Sequence, residues 1–182
     1  MIETKIIDNV IVQEKANIIE NTLFHESFPW HFQRSIGKSD AEFATPGFFH
    51  LLKHEGKVIS PMFNHIRDIV DLSLIKSAYH NLEIDILIAR AFLLLPFRNA
   101  KEYDYKHVDI QREHIVCLYY VNDTDGDTFI FGKDKEDGIS QRIQPKKNRV
   151  VLFDGLKYHS SSCPTQKERA VINFNLVLRN GG

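Results

Sequence analysis

The chain has 182 residues, of which 43% are hydrophobic, enough for one domain with a buried core and too few for two full domains. Its 23 basic and 24 acidic residues leave a formal net charge of -1, which does not favour a nucleic acid or an anionic membrane as partner. The two cysteines are too few for a disulfide framework, and the N-terminal residues lack the pattern of a signal peptide. We therefore expect a single domain, residues 1–182, located in the cytoplasm.

Helices are predicted in the first part of the chain, about residues 1–82. Apolar residues from Val12 to Leu23 follow a four-three-four spacing, which places them on one face of a helix. A second helix is predicted from Pro61 to about residue 79, because proline suits a first helical turn. Short strands with turns are predicted between these two helices.

From residue 83 onward the sequence is a series of short β-rich runs separated by clusters of Asn, Asp, Gly and Pro. The runs include ILIARAFLLL, HIVCLYYV, RVVLF and AVINFNLVL. No internal repeat or linker interrupts them. The pattern predicts a mainly β fold, a barrel or sandwich over about residues 83–179, supported by the N-terminal helices.

A histidine and an aspartate two residues apart, His107 and Asp109, stand just ahead of one of these runs. At alternate positions of an extended chain their side chains point to the same side and could hold one metal ion. Such a triplet also occurs by chance in solvated turns, so a third ligand is needed. His159 follows a later strand and a short turn, and pairing of consecutive strands would bring it beside the first two. Two imidazoles and one carboxylate form the facial triad of non-heme Fe(II) oxygenases.

Arg169 opens the last apolar run of the chain. A guanidinium is costly there unless an anion meets it, and its planar fork matches a carboxylate. Strand alternation turns Val171, Asn173 and Asn175 toward the same face as Arg169, opposite an apolar face. Two asparagines would be costly in a dry core, so we expect Asn173, and less directly Asn175, in the wall of a polar site.

Four residues resemble the motif of the Fe(II)- and 2-oxoglutarate-dependent dioxygenases in their order, type and spacing. They are His107, Asp109, His159 and Arg169. The spacing is 50 residues from Asp109 to His159 and 10 from His159 to Arg169. The resemblance covers about residues 83–179 and is strongest to the prolyl 4-hydroxylase-like branch, particularly its small stand-alone bacterial and phage members. It implies a double-stranded β-helix, a cupin-like jelly roll, with Fe(II) near one mouth and 2-oxoglutarate reaching inward to Arg169.

The resemblance implies further roles one residue at a time. Tyr120, in the CLYYVND run, matches a tyrosine that hydrogen-bonds the distal carboxylate of 2-oxoglutarate in prolyl-hydroxylase relatives, although simple packing of this ring stays open. Val171 stands where some branches carry a serine, which raises the importance of Tyr120. Asn173 is the second candidate for contact with 2-oxoglutarate. Thr128, in a run similar to another strand of the family, is expected to be structural.

The implied activity is hydroxylation of a substrate C–H bond, coupled to oxidative decarboxylation of 2-oxoglutarate to succinate and CO2, with Fe(II) and O2. L-ascorbate stays open as an accessory. Halogenating relatives lack the acid, so Asp109 favours hydroxylation. The expected substrate is a small molecule or peptide, such as a prolyl residue or a free amino acid. Nucleic-acid demethylases have a second arginine where this chain has Asn175, so no nucleic acid is expected.

Loops just before the H-x-D triplet often approach substrate in this family, which makes Arg98, Tyr103 and Tyr105 candidates for contact. Three other functions stay open. A metal-binding jelly roll would hold a metal without 2-oxoglutarate turnover, and a zinc metallohydrolase could use the same triad but would leave Arg169 without a role. An adaptor that binds a peptide edge is the third. The sequence does not indicate an oligomeric state.

Overall fold

The computed structural model describes residues 2–36, 45–77, 79–97 and 102–178, and strands make up most of its regular structure. The helices are α1 (Gln13–Leu23), α2 (Phe63–Ile66) and α3 (Asp68–Lys76). The strands are β1 (Lys5–Ile7), β2 (His31–Gln33), β3 (Gly47–His54), β4 (Lys57–Val58), β5 (Ile84–Leu94), β6 (Ile115–Tyr120), β7 (Thr128–Ile130), β8 (Gln141–Ile143), β9 (Arg149–Asp154), β10 (His159–Ser161) and β11 (Arg169–Leu178).

The strands form two antiparallel sheets that face each other. The larger sheet has the order β1-β9-β6-β11-β5-β3-β2, with β4 paired to β3, and the smaller sheet has the order β10-β7-β8. One apolar cluster joins them, with Leu118 and Val171 from the larger sheet packed near Ile130 and Ile143 from the smaller one. Two facing antiparallel sheets closed in this way form a jelly roll. The predicted mainly β fold is confirmed.

Strand β11 shows the predicted alternation of faces. Ala170, Ile172, Phe174 and Leu176 belong to the core cluster that also contains the buried side chains of the three helices. The helices therefore cover the outer face of the larger sheet. The other face of β11, which carries Arg169, is turned into the space between the sheets. The polar residues of this strand are thus separated from the main core by the strand itself.

Two details differ from the sequence-based expectation. The helix predicted from Pro61 is divided into α2 and α3 at Arg67, where the Val70 amide donates to the Arg67 carbonyl in a tighter, three-residue turn. The three-residue strands β1 and β10 are too short to give a periodic signal in the sequence. No helix in the described ranges is long and apolar enough to cross a membrane.

Candidate active site

Three potential metal ligands meet where the smaller sheet is extended by one bridge. His107 and His159 pair through their backbones, each amide donating to the other's carbonyl at 3.0 Å. Asp109 lies two residues after His107, and one ligand atom from each of the three side chains lies within 4.8 Å of the others. Asp109 Oδ1 is 3.9 Å from Nε2 of His107 and 3.8 Å from Nε2 of His159. The structure thus brings together the three residues that the sequence predicted as metal ligands.

Both imidazoles are oriented by backbone carbonyls on their far side. Nδ1 of His107 lies 3.1 Å from the Tyr105 carbonyl, and Nδ1 of His159 lies 3.2 Å from the Lys157 carbonyl. A neutral ring that donates from Nδ1 presents an unprotonated Nε2, which is the form that binds a metal. Burial, with a smaller effect of His107, lowers the pKa of His159 to about 4, so this ring is neutral at pH 7.

The carboxylate of Asp109 is ionised and held from one side. Burial by itself would raise its pKa, but the positive charge that His159 carries in the acidic range where Asp109 titrates, together with the charge of Arg90, holds the pKa well below its usual range. The side-chain amides of Asn173 and Asn175 donate to Oδ2 at 2.8 and 2.7 Å. Oδ1 is the oxygen closest to the two imidazoles. Two nitrogens and one carboxylate oxygen, oriented by outer hydrogen bonds, are a donor set that fits Fe(II).

Arg169 is buried and anchored at one edge of its guanidinium. Its Nε donates to the Gly126 carbonyl at 2.8 Å and its Nη2 donates to Thr128 Oγ1 at 2.9 Å. Burial lowers the pKa of Arg169, yet a guanidinium keeps its charge in proteins. The approach of the loop requires a glycine, because a Cβ on Gly126 would lie 2.8 Å from Cδ of Arg169. The remaining donors of the fork are held in a fixed position beside the cavity.

Tyr120 is linked to Arg169 by the hydroxyl of Thr128, which hydrogen-bonds both side chains. Its hydroxyl donates to Thr128 Oγ1 at 2.7 Å, and burial raises the pKa of Tyr120 to about 12, so the hydroxyl stays protonated. Thr128 Oγ1 therefore accepts from both Tyr120 and Arg169, which leaves its own proton to donate into the cavity that its side chain lines. The sequence predicted a structural role for Thr128, but its hydroxyl lies inside the site.

A cavity of about 330 Å³ connects the triad with Arg169. Its wall is mostly apolar, with Phe49, Phe92, Leu94, Leu118 and Val171 among the lining residues. Among the described residues, the side chains that carry formal charge in this wall are Asp109, Arg169 and Arg90. Arg90 is not among the residues predicted from the sequence, although its signal is of the same kind as that of Arg169, a single arginine within an apolar strand.

The other predicted site residues lie as follows. Asn173 lines the cavity, as expected for a wall residue, but its amide is directed to Asp109. The ring of Tyr103 packs on Phe129, with centroids 5.3 Å apart, and is not among the residues of the cavity wall. Tyr105 is exposed. Arg98 lies outside the described residues.

The jelly-roll fold and the donor set of the site are those of a non-heme iron oxygenase. The family model of the 2OG-Fe(II) oxygenase superfamily matches residues 97–177, a stretch that contains all four motif residues. Over these residues the chain is similar to the members of that superfamily. The predicted enzyme class is confirmed, with Fe(II), 2-oxoglutarate and O2 as cofactor and cosubstrates. The predicted jelly-roll fold is also confirmed.

Solved structures similar to this chain include several prolyl hydroxylases. The viral collagen prolyl hydroxylase of Paramecium bursaria Chlorella virus-1, in complex with 2-oxoglutarate, has a TM-score of 0.60 and 12% identity, and the match covers 95% of this chain and 94% of that one. A Trichoplax adhaerens prolyl hydroxylase in complex with a peptide fragment of the hypoxia inducible factor oxygen degradation domain has a TM-score of 0.65 and 14% identity, covering 94% and 82%.

The same fold also occurs in a protein of different activity. SnoN, a non-heme α-ketoglutarate-dependent epimerase from nogalamycin biosynthesis, has a TM-score of 0.65 and 8% identity, and the match covers 96% of this chain and 77% of that one. No curated protein sequence matches the chain significantly. At these identities the structural similarity establishes the fold, and the substrate has to be argued from the cavity.

Proposed function

We propose that His107, Asp109 and His159 bind one Fe(II), that Arg169 binds the distal carboxylate of 2-oxoglutarate, and that the enzyme hydroxylates a C–H bond of a small molecule or peptide. One observation carries this proposal: the triad and the buried fork of Arg169 open into the same cavity. A metal site alone would not need a buried, pre-oriented cation beside it. The zinc hydrolase and the silent metal binder leave Arg169 without a role.

The protein residues hold and orient the reactants. Fe(II) bound at the triad supplies the oxidative chemistry, in which 2-oxoglutarate is decarboxylated to succinate and CO2 and the substrate C–H bond is hydroxylated. Asp109 offers Oδ1 to the metal while Asn173 and Asn175 fix Oδ2. The carbonyls behind the two imidazoles keep each Nε2 turned inward. The ligands are therefore pre-organised before the metal binds.

The distal carboxylate of 2-oxoglutarate is recognised by charge and by hydrogen bonds. Arg169 supplies a positive charge. Thr128 accepts two hydrogen bonds from protein groups, so its own hydroxyl proton is available to donate to the carboxylate. Tyr120 fixes the Thr128 hydroxyl from behind. The apolar side chains of Phe92, Leu118 and Val171 line the space and offer no competing donor. Because these walls exclude water, the charge interaction is stronger than it would be in solvent.

The substrate proposal is a prolyl or peptidyl residue or a free amino acid. A peptide fragment is bound in the Trichoplax adhaerens structure, which supports a peptide or its building block. We also propose that the chain acts as one domain, residues 1–182, in the cytoplasm. The two cysteines support a reducing compartment, because Cys117 and Cys163 are both free and buried.

The direct test is 2-oxoglutarate consumption by the purified enzyme. With Fe(II) and O2 we expect succinate to form, slowly without a substrate and faster when a candidate amino acid or peptide is added. Replacement of Fe(II) by Zn(II) should stop succinate formation. Metal binding without succinate from any mixture would support the silent binder, and hydrolysis supported by Zn(II) would support the hydrolase.

Replacing Thr128 with valine is expected to weaken 2-oxoglutarate binding while leaving Fe(II) affinity unchanged. The change removes the hydroxyl that would donate to the carboxylate of 2-oxoglutarate, and a hydrogen bond to a charged group contributes roughly 1.5–3 kcal/mol, or about 10- to 150-fold in affinity. The KM for 2-oxoglutarate measures the effect. Thr128→Ser keeps the hydroxyl and is the matched control. Equal KM values for the valine and serine variants would show that the hydroxyl has no part in binding.

A further inference from the structure

Arg90 lies in the cavity wall beside the triad. It sits in β5 opposite Asn173 of the neighbouring strand β11. Its side chain is 18% exposed, and it lines the same cavity as the metal ligands and Arg169. The guanidinium carbon lies 5.5 Å from the ring centroid of Phe92, which packs beside it. A charged group is thus held at the cavity surface, on the side where Asp109 and Asn175 lie.

Within the described residues, the hydrogen bonds and the ion pair of Arg90 use one of its three nitrogens. Nη2 donates to Asn175 Oδ1 at 3.2 Å and lies 3.5 Å from Asp109 Oδ1, at the long limit of a hydrogen bond. Nε is buried and has no hydrogen-bond partner in the described part of the chain. A guanidinium has five N–H donors, so this fork is far from saturated.

The charge of Arg90 acts on Asp109, but closer groups orient the carboxylate. The amides of Asn173 and Asn175 already hold Asp109 Oδ2 at 2.8 and 2.7 Å, much closer than the 3.5 Å contact of Arg90. A half-buried arginine with an unpaired Nε is costly in free energy, and its 3.5 Å ion pair with Asp109 offsets only part of that cost. The unused donors of its terminal nitrogens suit a ligand that enters the cavity.

The charge balance of the site indicates the sign of that ligand. Bound Fe(II) and the two carboxylates of 2-oxoglutarate cancel each other. Asp109 cancels one of the two arginines, Arg90 and Arg169, that the described residues contribute to the cavity wall. One positive charge remains in a mostly apolar cavity, where an uncompensated charge is unfavourable. A substrate with a single carboxylate would complete the balance.

We propose that Arg90 binds the carboxylate of the substrate, and that the substrate is a small monocarboxylate, such as a free amino acid, rather than an internal residue of a peptide. The proposal rests on the proposed function, since it assumes that Fe(II) and 2-oxoglutarate occupy the same cavity. The cavity volume of about 330 Å³ agrees with it, because ligand pockets span roughly 300–1,000 Å³ and this one must hold the cosubstrate as well. An internal residue of a peptide has no free carboxylate to offer.

The test uses acetate as the probe, with acetamide as its neutral counterpart of similar shape. The protein is loaded anaerobically with Fe(II) and 2-oxoglutarate, and the visible charge-transfer band is followed as either probe is added at constant ionic strength. The variants are Arg90→Gln, which removes the charge, and Arg90→Lys, which keeps it. Arg67→Gln, at an exposed position outside the cavity, is the control.

We expect acetate to perturb the band of the wild type and of Arg67→Gln saturably, with about tenfold or more weaker binding in Arg90→Gln and partial recovery in Arg90→Lys. Acetamide should have no comparable effect. The band itself should form in all four proteins, because Arg90 binds neither the metal nor 2-oxoglutarate. Equal acetate affinity in wild type and Arg90→Gln, an equal response to acetamide, or no acetate response in the wild type would each overturn the proposal. Absence of the band in the wild type would instead contradict the proposed function and remove the basis of this proposal.

Discussion

Asp109→Ala is expected to lose more than about 100-fold in Fe(II) affinity and to form no measurable succinate. Loss of an outer hydrogen-bond partner of a metal ligand already costs about 10- to 100-fold in metal affinity, so loss of the ligand itself should exceed that range. The substitution also leaves the amides of Asn173 and Asn175 without their acceptor and Arg90 without its nearby anion. Titration of the apoprotein with Fe(II) and a succinate assay measure the two effects.

A second buried aspartate provides the control for the loss of a carboxylate as such. Asp154 is as buried as Asp109 and is paired with Lys133 at 3.0 Å, outside the cavity wall. Asp154→Ala should keep Fe(II) affinity even where it lowers the free energy of unfolding. Circular dichroism would establish that both variants are folded. Wild-type Fe(II) affinity in folded Asp109→Ala would exclude Asp109 as a ligand.

Arg169→Gln is expected to raise the KM for 2-oxoglutarate by about 30-fold or more, with Fe(II) affinity unchanged. Truncating one partner of a buried, hydrogen-bonded charge pair costs roughly 2–5 kcal/mol, because the other charge is then left without compensation. Glutamine keeps much of the side-chain volume, so the cavity should not collapse. The KM for 2-oxoglutarate and an Fe(II) titration separate the two sites.

The lysine variant distinguishes the charge of Arg169 from its shape. Arg169→Lys keeps a cation but loses the planar fork that contacts Gly126 and Thr128 together, so we expect it to fall between the wild type and the glutamine variant. An unchanged KM in Arg169→Gln would show that 2-oxoglutarate is bound elsewhere in the cavity, even if the iron site is intact.

The motif residues could be predicted from the sequence because each carries a local signal. His107 and Asp109 share a face of an extended segment, and Arg169 breaks an apolar strand at its first residue. The alternation of β11 follows from the two-residue period of a strand, which is why Asn173 and Asn175 could be assigned to the polar face.

What these polar groups contact could not be predicted, since it depends on pairing between distant strands. The acceptor of both asparagine amides is Asp109, more than 60 residues earlier in the chain. The sequence predicts a structural role for Thr128, because its hydroxyl gains another role only when Tyr120 and Arg169 converge on it. Arg90 lies within an apolar run, and the sequence alone does not show which arginine of such a run faces a cavity.

The measurement that tests the central claim most directly is an anaerobic titration of the wild-type apoprotein, first with Fe(II) and then with 2-oxoglutarate. If both bind in one cavity with 2-oxoglutarate on the metal, a visible metal-to-ligand charge-transfer band should grow and saturate as 2-oxoglutarate is added. The saturated band should reach its maximum intensity at one equivalent of Fe(II) per chain. Zn(II) in place of Fe(II) should give no band. Saturable Fe(II) binding that leaves the visible spectrum unchanged after 2-oxoglutarate is added would contradict the account.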